Sequence, residues 1–413
     1  MKIGVLTSVH PATDTRILFK QAASLVRAGH EVHLVARESP NPVGCGVHHV
    51  TLPIPKSRLG RIATCLQLYR KAVALRCDVY HLHDPELLTL AAPLKRATGA
   101  KIIFDVHEDV RRQIRNKYWI PRWMRPSLAV VYGVLERLCL LDVDHVVIAE
   151  DSYAPVYARY QAVPVRNYPT LQLLAPLGNW SQPRVYSRRP KLVYCGTVAK
   201  IRGAMEMLEA VKILAMSYPG VHLSIIGSCF PVELEGEMAA KIRELGIADN
   251  VKLHGRLPLD QAMEVVAHCD VGLAILHPDP NYLHSLPTKM FEYMALRLPV
   301  VVSNFVLWKK IVDETGGGRT VNPLSVPEIA AAIGAIVRDA EALRAMGQRA
   351  SIAVRENYSW EAEAKRLLAL YESQSTTAAD ELRREATVPA SAESSIVSAK
   401  SARATDLVSS AGK

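Results

Sequence analysis

Two groups of residues have the types and spacing that chemistry would need. In NYLHSLPTKMFEYMALRLPVVVS (281–303), Pro287 and Thr288 open a helical pattern, Lys289 follows, and Glu292 stands one turn in. The unbonded amides of a first helical turn, with the helix dipole, favour an anion there. Pro287 suits such a turn because its missing N–H is not needed. Lys289 adds a positive charge, and the two oxygens of Glu292 can accept both hydroxyls of a ribose diol. The alternative is a solvated Lys289–Glu292 ion pair at i,i+3, worth roughly a few tenths of a kcal/mol. Upstream, YCGTVAKIRG (194–203) runs from a strand into Gly196, then Lys200 and Arg202, then a helix. Gly196 lets the backbone approach a phosphate, and the two bases suit a diphosphate. IIGS (225–228) puts Gly227 after another strand, and HGRLP (254–258) forms a third turn at the same sheet edge. One strand–glycine–helix turn is generic; several on one edge read as a nucleotide-diphosphate site.

The second group lies in the first half. His10, Asp14 and Arg16 follow the first strand-like run, Asp84 and Glu86 follow DVYHLH (78–83), and His107, Glu108 and Asp109 follow KIIFDV (101–106). A single His or Asp at such a place commonly caps a turn. Three clusters on successive strand ends point instead to a shared cleft. We expect metal independence, with no cofactor beyond the donor substrate.

The elements that must position these groups follow from periodicity. IGVLTS (3–8), EVHLVA (31–36), DVYHLH, KIIFDV, HVVIA (145–149) and VPVRN (163–167) are continuous apolar runs separated by helical patterns. After PTLQLLAPLGNWSQPRVYSRRP (169–190) the alternation restarts with KLVYCG, HLSIIG, VKLHG, DVGLAIL, PVVVS and GRTVN. Continuous rather than alternating runs indicate strands covered on both faces, hence parallel sheets. The expected fold class is α/β, two Rossmann-like doubly wound domains facing across a cleft, with ligands at the carboxyl ends of the strands. We expect a first domain over 1–170, a linker at 171–190 and a nucleotide-binding domain over 191–356. A helix at about 357–372 should return to the first domain, followed by a disordered Ser/Ala/Thr-rich tail from 373 to 413. Seven isolated cysteines without C-x-x-C spacing fit a reducing cytosol and argue against structural zinc or a disulfide framework. No apolar run approaches the length of a membrane span, and MKIGVLTS reads as a strand.

HPATDTRI (10–17), HLHDPEL (81–87), DVHEDV (105–110), VRNYP (165–169), the basic turn at 196–203 and PTKMFEYMA (287–295), in this order, resemble a retaining, nucleotide-sugar-dependent glycosyltransferase of the GT-B fold, glycosyltransferase family 4. The resemblance spans about residues 1–372. It implies that Arg202 takes the place of the family's diphosphate-binding lysine and that Glu292 is the ribose-binding second glutamate of a paired-glutamate motif. It favours His107 as the group that reaches the donor sugar. Two departures stand out: His284 occupies the position of the sugar-facing glutamate, and Thr197 that of the usual arginine, with Lys200 as a possible substitute. Retention without a nucleophilic carboxylate implies front-face substitution, with Arg202, Lys289 and the helix start stabilising the leaving group. The implied donor is a UDP- or GDP-sugar.

The net charge of +10 lies mostly in residues 1–170, which hold 23 Lys and Arg against 14 Asp and Glu. Residues 58–76 place Leu59, Ile62, Leu66, Tyr69 and Val73 at helical spacing beside bases, and RRQIRNKYWIPRWMRP (111–126) has six bases, no acid, and Tyr118, Trp119 and Trp123. Bases interleaved with aromatic residues suit an anionic membrane surface. Nucleic acid is the competing partner, but no recognition motif accompanies the bases, and a solvated helix face is the plain alternative. The expectation is a cytoplasmic hexosyltransferase, peripheral on the inner membrane leaflet, with a lipid-linked acceptor. A soluble transferase with a small acceptor, a nucleotide-sugar epimerase and a non-catalytic nucleotide-sugar binder remain as alternatives.

Overall fold

The structure, a computed structural model, describes residues 1–39, 43–55, 58–116, 120–178, 184, 186, 189–280 and 282–386. Its apolar runs become parallel strands. The first sheet holds β1 (Lys2–Pro11), β2 (Glu31–Arg37), β3 (His48–Leu52), β4 (Val79–Leu82), β5 (Lys101–Val106), β6 (His145–Ile148) and β7 (Val163–Pro164), in the order β3-β2-β1-β4-β5-β6-β7. Every pairing is parallel, so each connection must cross over. A π-helical segment, Thr15–Ala22, leads into α1 (Ala23–Arg27); α2 (Arg58–Leu75), α3 (Ala91–Thr98), α4 (Val110–Asn116), α5 (Arg125–Cys139) and the short α6 (Ala154–Tyr157) follow.

α7 (Leu171–Gly178) leads to the second sheet, whose strands β8 (Lys191–Cys195), β9 (His222–Ile226), β10 (Val251–Gly255), β11 (Val271–Ala274), β12 (Val300–Ser303) and β13 (Gly318–Val321) run in the order β10-β9-β8-β11-β12-β13. Its helices are α8 (Ala204–Ser217), α9 (Leu234–Leu245), α10 (Leu259–Ala267), α11 (Thr288–Ala295), α12 (Val306–Thr315), α13 (Val326–Val337) and α14 (Ala340–Asn357). Each sheet has an apolar core on both faces, as its unbroken apolar strands require. In each sheet the strand order reverses beside the first strand, between β1 and β4 and between β8 and β11, which opens a crevice at the carboxyl edge.

α15 (Trp360–Ala386) returns to the first domain. Trp360 is buried and its indole Nε1 donates to Ser24 Oγ at 3.0 Å, while Tyr371 Oη lies 2.8 Å from His81 Nδ1. The helix continues past Ser373, where a disordered tail was expected. STTAADELRREA is rich in strong helix formers, and a helix already nucleated propagates readily. Residues 387–413, the rest of that expected tail, lie outside the described residues.

Two further readings need correction. β3 was not legible because HHVTL is half exposed and carries two histidines instead of an apolar run. The stretch 171–190 is not simply a linker. α7 buries Leu174 against α10 and α11, and the Arg184 guanidinium donates to the carbonyls of Leu296, Ala267 and Cys269. Apolar leucines and an anchoring arginine fasten this segment to the second domain despite its prolines. Residues 179–183, 185, 187 and 188 lie outside the described set.

Candidate active site

At the carboxyl edge of the second sheet, the turns after β8 and β9 interlock. Gly196 has φ 131° and Gly227 φ 142°, conformations that favour glycine. A Cβ on Gly227 would sit 1.9 Å from the Gly196 carbonyl oxygen, and one on Gly196 would sit 2.8 Å from Lys289 Nζ. Gly227→Ala is therefore expected to push the two turns apart and to weaken nucleotide-diphosphate binding at least roughly tenfold, read by isothermal titration with UDP and GDP, with a lower melting temperature.

Lys289 reaches that spot from the first turn of α11. Its stem is half-buried, but Nζ is shut off from solvent, has no hydrogen-bond partner among the described residues and lies 3.7 Å from the centroid of the Tyr194 ring. Burial pulls the ammonium down to about 7, and nearby Arg202 adds to the effect. The solvated ion-pair alternative fails, since among the described residues no ion pair joins Lys289 to Glu292. Burial raises the Glu292 carboxyl. The cation that most offsets this is Lys20, from the first domain, ahead of Lys289. Lys20 is itself buried, bonded to Asn167 Oδ1 at 2.7 Å, and lowered to about 8 by desolvation. Both Lys20 and Glu292 line a cavity of about 550 Å³ with Phe19, Leu174 and Met263.

Arg202 ends the short helical turn Lys200–Arg202. Its Nε donates to Tyr282 Oη at 3.3 Å, which turns the guanidinium toward the segment preceding α11. Lys200 is directed elsewhere, because its exposed ammonium pairs with Glu237 of α9 at 2.5 Å. Pro287 is the residue preceding α11, in extended geometry, and Thr288 Oγ1 donates to the Asn167 carbonyl at 3.3 Å, tying the helix start to the first domain. His284 is exposed in the turn before it.

Across the cleft, the first sheet gathers four histidines and three aspartates. His10 lies 3.4 Å from both Asp14 and Asp84, and its ring centroid is 5.2 Å from that of His107. The bond to Asp14 raises the His10 imidazole above its usual value, against the opposing effect of burial. Asp84 and Arg16 are anchors. Buried Asp84 accepts from Thr7 Oγ1, Ser8 N and Val9 N, which holds the end of β1, and Glu86 accepts from Ser8 Oγ at 2.9 Å. Asp14 caps the Thr15–Ala22 segment through the amides of Arg16 and Ile17. Arg16 turns inward to form a two-point bond with Asp105 at 3.0 and 2.9 Å.

Asp105, His81 and His83 were missed as site residues, although H-x-H-D and D-x-H spacings on neighbouring strands put alternate residues on one face. Asp105 Oδ2 is 3.3 Å from His107 Nε2 and accepts from Gln21 Nε2 at 2.6 Å, and His83 Nδ1 is 3.1 Å from His107 Nε2. Burial opposes ionisation of Asp105, yet Arg16 and His107 hold its carboxyl well below the usual range. Burial lowers His81 to about 4 and holds His83 well below its usual value. His81, His83 and Asp105 bring ligand-type atoms within 4.8 Å of one another. The Arg16 guanidinium occupies both carboxylate oxygens, so a metal ion there would face a buried cation. Glu150, also missed, follows β6, accepts the Leu286 amide from the second domain, and is raised to about 7 by burial. His10, Asp14, His107, Glu150 and Phe291 line one cavity of about 240 Å³ between the two halves. The structure thus brings the first-sheet groups together at the cleft, and the glycine turns, Arg202 and Lys289 together opposite them.

Known proteins carry the same halves. The model of the glycosyl transferase 4-like domain matches residues 15–168, and that of glycosyl transferases group 1 matches residues 189–339. The chain is 23% identical over 316 residues to the MMP alpha-(1->4)-mannosyltransferase of Mycolicibacterium hassiacum, covering 74% of either protein. Sucrose-phosphate synthase from Thermosynechococcus elongatus superposes with a TM-score of 0.68 at 16% identity, over 91% of this chain and 100% of that one. Anabaena HepE in complex with UDP and glucose does so with a TM-score of 0.67 at 13% identity, over 90% and 100%.

Proposed function

Because this chain is a glycosyltransferase of the GT-B fold, built from a glycosyl transferase 4-like and a group 1 domain, we propose that it moves a hexose from a UDP- or GDP-sugar to a lipid-linked acceptor with retention of configuration. The observation that carries the donor assignment is Lys289. A sealed ammonium with no hydrogen-bond partner among the described residues, against the Gly196 turn and in the first turn of a helix, is poised for a diphosphate. The UDP and glucose bound by the HepE neighbour agree with this chemistry.

In this reading, Arg202, Lys289 and the amides around Thr288 take the diphosphate, and Glu292 takes the ribose diol. His107 faces the sugar, while His10 and its partner Asp14 border the acceptor. The anomeric C–O bond to the diphosphate breaks, the acceptor oxygen bonds the same carbon on the same face, and the acceptor proton passes to the departing diphosphate oxygen. The chain's contribution is to stabilise charge on that oxygen. Activity should survive EDTA. The basic stretches 58–76 and 111–126, of which residues 117–119 lie outside the described set, support an acceptor on the cytoplasmic leaflet. Among the described residues no helix is long and apolar enough to cross a membrane.

A panel of UDP- and GDP-sugars, read by thermal shift and by nucleotide release with and without membrane lipid extract, tests the reading. One nucleotide family should stabilise the protein and be turned over, and Arg202→Ala should cut turnover by roughly 10²–10³-fold. Unchanged turnover in Arg202→Ala would sink its leaving-group role, and stabilisation without nucleotide release would make the protein a binder.

A further inference from the structure

α5 carries a stripe that none of the described residues covers. Val131, Val134, Leu135, Leu138 and, just beyond the helix, Leu141 recur at intervals of three and four, and each is between 49% and 76% exposed. Trp123, two residues before the helix, is 80% exposed. α2 belongs to the same layer. The rightward crossovers from β3 to β4, β5 and β6 set α2, α3 and α5 on one face of the first sheet, opposite α1 and α15. On this layer Ile62 and Leu66 of α2 also point outward, exposed at 69% and 49%. Isolated surface leucines mean little, but a continuous aliphatic stripe marks a binding surface.

The charge around the stripe decides what binds. α2 contains no acid, and its Arg61, Arg70 and Lys71 are exposed. Arg122 and Arg137 flank the α5 stripe, also exposed. The single acid of α5, Glu136, is buried and bonded to Arg111 and to Tyr157 Oη. The two helices therefore show water an apolar and cationic surface bare of acid. A second copy related by two-fold symmetry would oppose arginine to arginine. Nucleic acid would match the charge but not the aliphatic stripe. An anionic bilayer matches both, with aliphatic side chains in the acyl region, arginines at the phosphates and Trp123 at the interface.

We propose that α5, rather than the basic stretches alone, is the element that inserts: its stripe enters an anionic leaflet while the bases of α2 and α5 bind headgroups. Orientation follows from topology. β5 ends at the cleft and α5 must return to the far end of the sheet before β6 begins, so Trp123 marks the cleft end of the stripe. The cleft mouth then lies at headgroup level, where a lipid-linked sugar would stand. The proposal deepens the lipid-acceptor reading, but docking is measured without turnover, so the two fail separately.

The test is flotation of the full chain with phosphatidylcholine vesicles, with and without phosphatidylglycerol. The unmodified protein should float with the anionic vesicles only. The exposed double change Leu135→Ser/Leu138→Ser should reduce the floated fraction at least roughly tenfold with an unchanged melting temperature. Arg122→Gln/Arg137→Gln should weaken flotation at low salt and flatten its salt dependence. The proposal is overturned if the unmodified chain floats with neither vesicle, or if the leucine variant floats as well as the parent. It is equally overturned if sizing shows a dimer that the leucine variant dissociates, since the stripe then belongs to a second copy.

Discussion

Replacing Lys289 by methionine is expected to remove most turnover and, at neutral pH, to make the free protein more stable. Methionine keeps the packing of the stem and deletes a sealed ammonium that has no hydrogen-bond partner among the described residues. Losing one positive group proposed to face the departing diphosphate should cost roughly 10²–10³-fold in kcat. The stability gain has a definite pH signature. Burial holds the folded ammonium at about 7, whereas an exposed lysine titrates near 10.5. Between those two values the unfolded chain binds a proton that the folded chain does not. The destabilisation by Lys289 therefore grows as pH falls through this window and levels off below about 7. The stability advantage of K289M should be largest at and below neutral pH, on the order of a few kcal/mol at most, and should shrink toward pH 10, as a melting temperature series over pH would read. A bound diphosphate reverses the effect of burial and favours the ammonium. Binding of UDP or GDP at slightly alkaline pH should then take up a proton, visible as a buffer-dependent heat in isothermal titration. A variant that turns over normally and melts lower than the parent at neutral pH would refute the assignment.

The glycine turns, the turn at Lys200–Arg202 and the α11 start were legible because their geometry is local: a glycine after a strand and a helix opening carry it in sequence. What was not legible is which distant group each side chain finds. Lys289 and Glu292 look like partners at i,i+3, yet the cation that matters most to Glu292 is Lys20 across the cleft. Lys200 and Arg202 look equivalent two residues apart, but the tight turn sends one to Glu237 and the other to Tyr282. Arg16 looks like an acceptor contact and is instead a core partner of Asp105, since both meet only once β1 and β5 share a sheet. The same limit hid α5. Its apolar positions fit an ordinary core helix, and only packing shows that the small residues Ala129 and Gly133 face inward while the large ones face water.

Asp105→Asn should separate the core role of this aspartate from its hold on His107. Arg16 and Asp105 form a buried two-point pair, so removing one charge leaves the other unpaired and should cost about 3–5 kcal/mol. The Asp105 carboxyl is depressed well below its ordinary value, so its stabilisation is present above about pH 4 and fades only as pH falls further. The deficit of D105N in urea should accordingly be constant from neutral pH down to mild acid and narrow below that. Replacing both partners, Arg16→Met with Asp105→Leu, exchanges the pair for apolar contacts and should recover much of the stability. Turnover should not recover with it. Asp105 Oδ2 stands 3.3 Å from His107 Nε2, which fixes the proton on that nitrogen and leaves the other ring nitrogen for the cleft. Without the carboxylate, the ring is free to change tautomer, so kcat should stay depressed in the double variant while donor KM changes little. NMR of the His107 ring nitrogens would show the altered tautomer directly. If the double variant regained turnover along with stability, Asp105 would serve the core alone, and His107 would have to be oriented by His83.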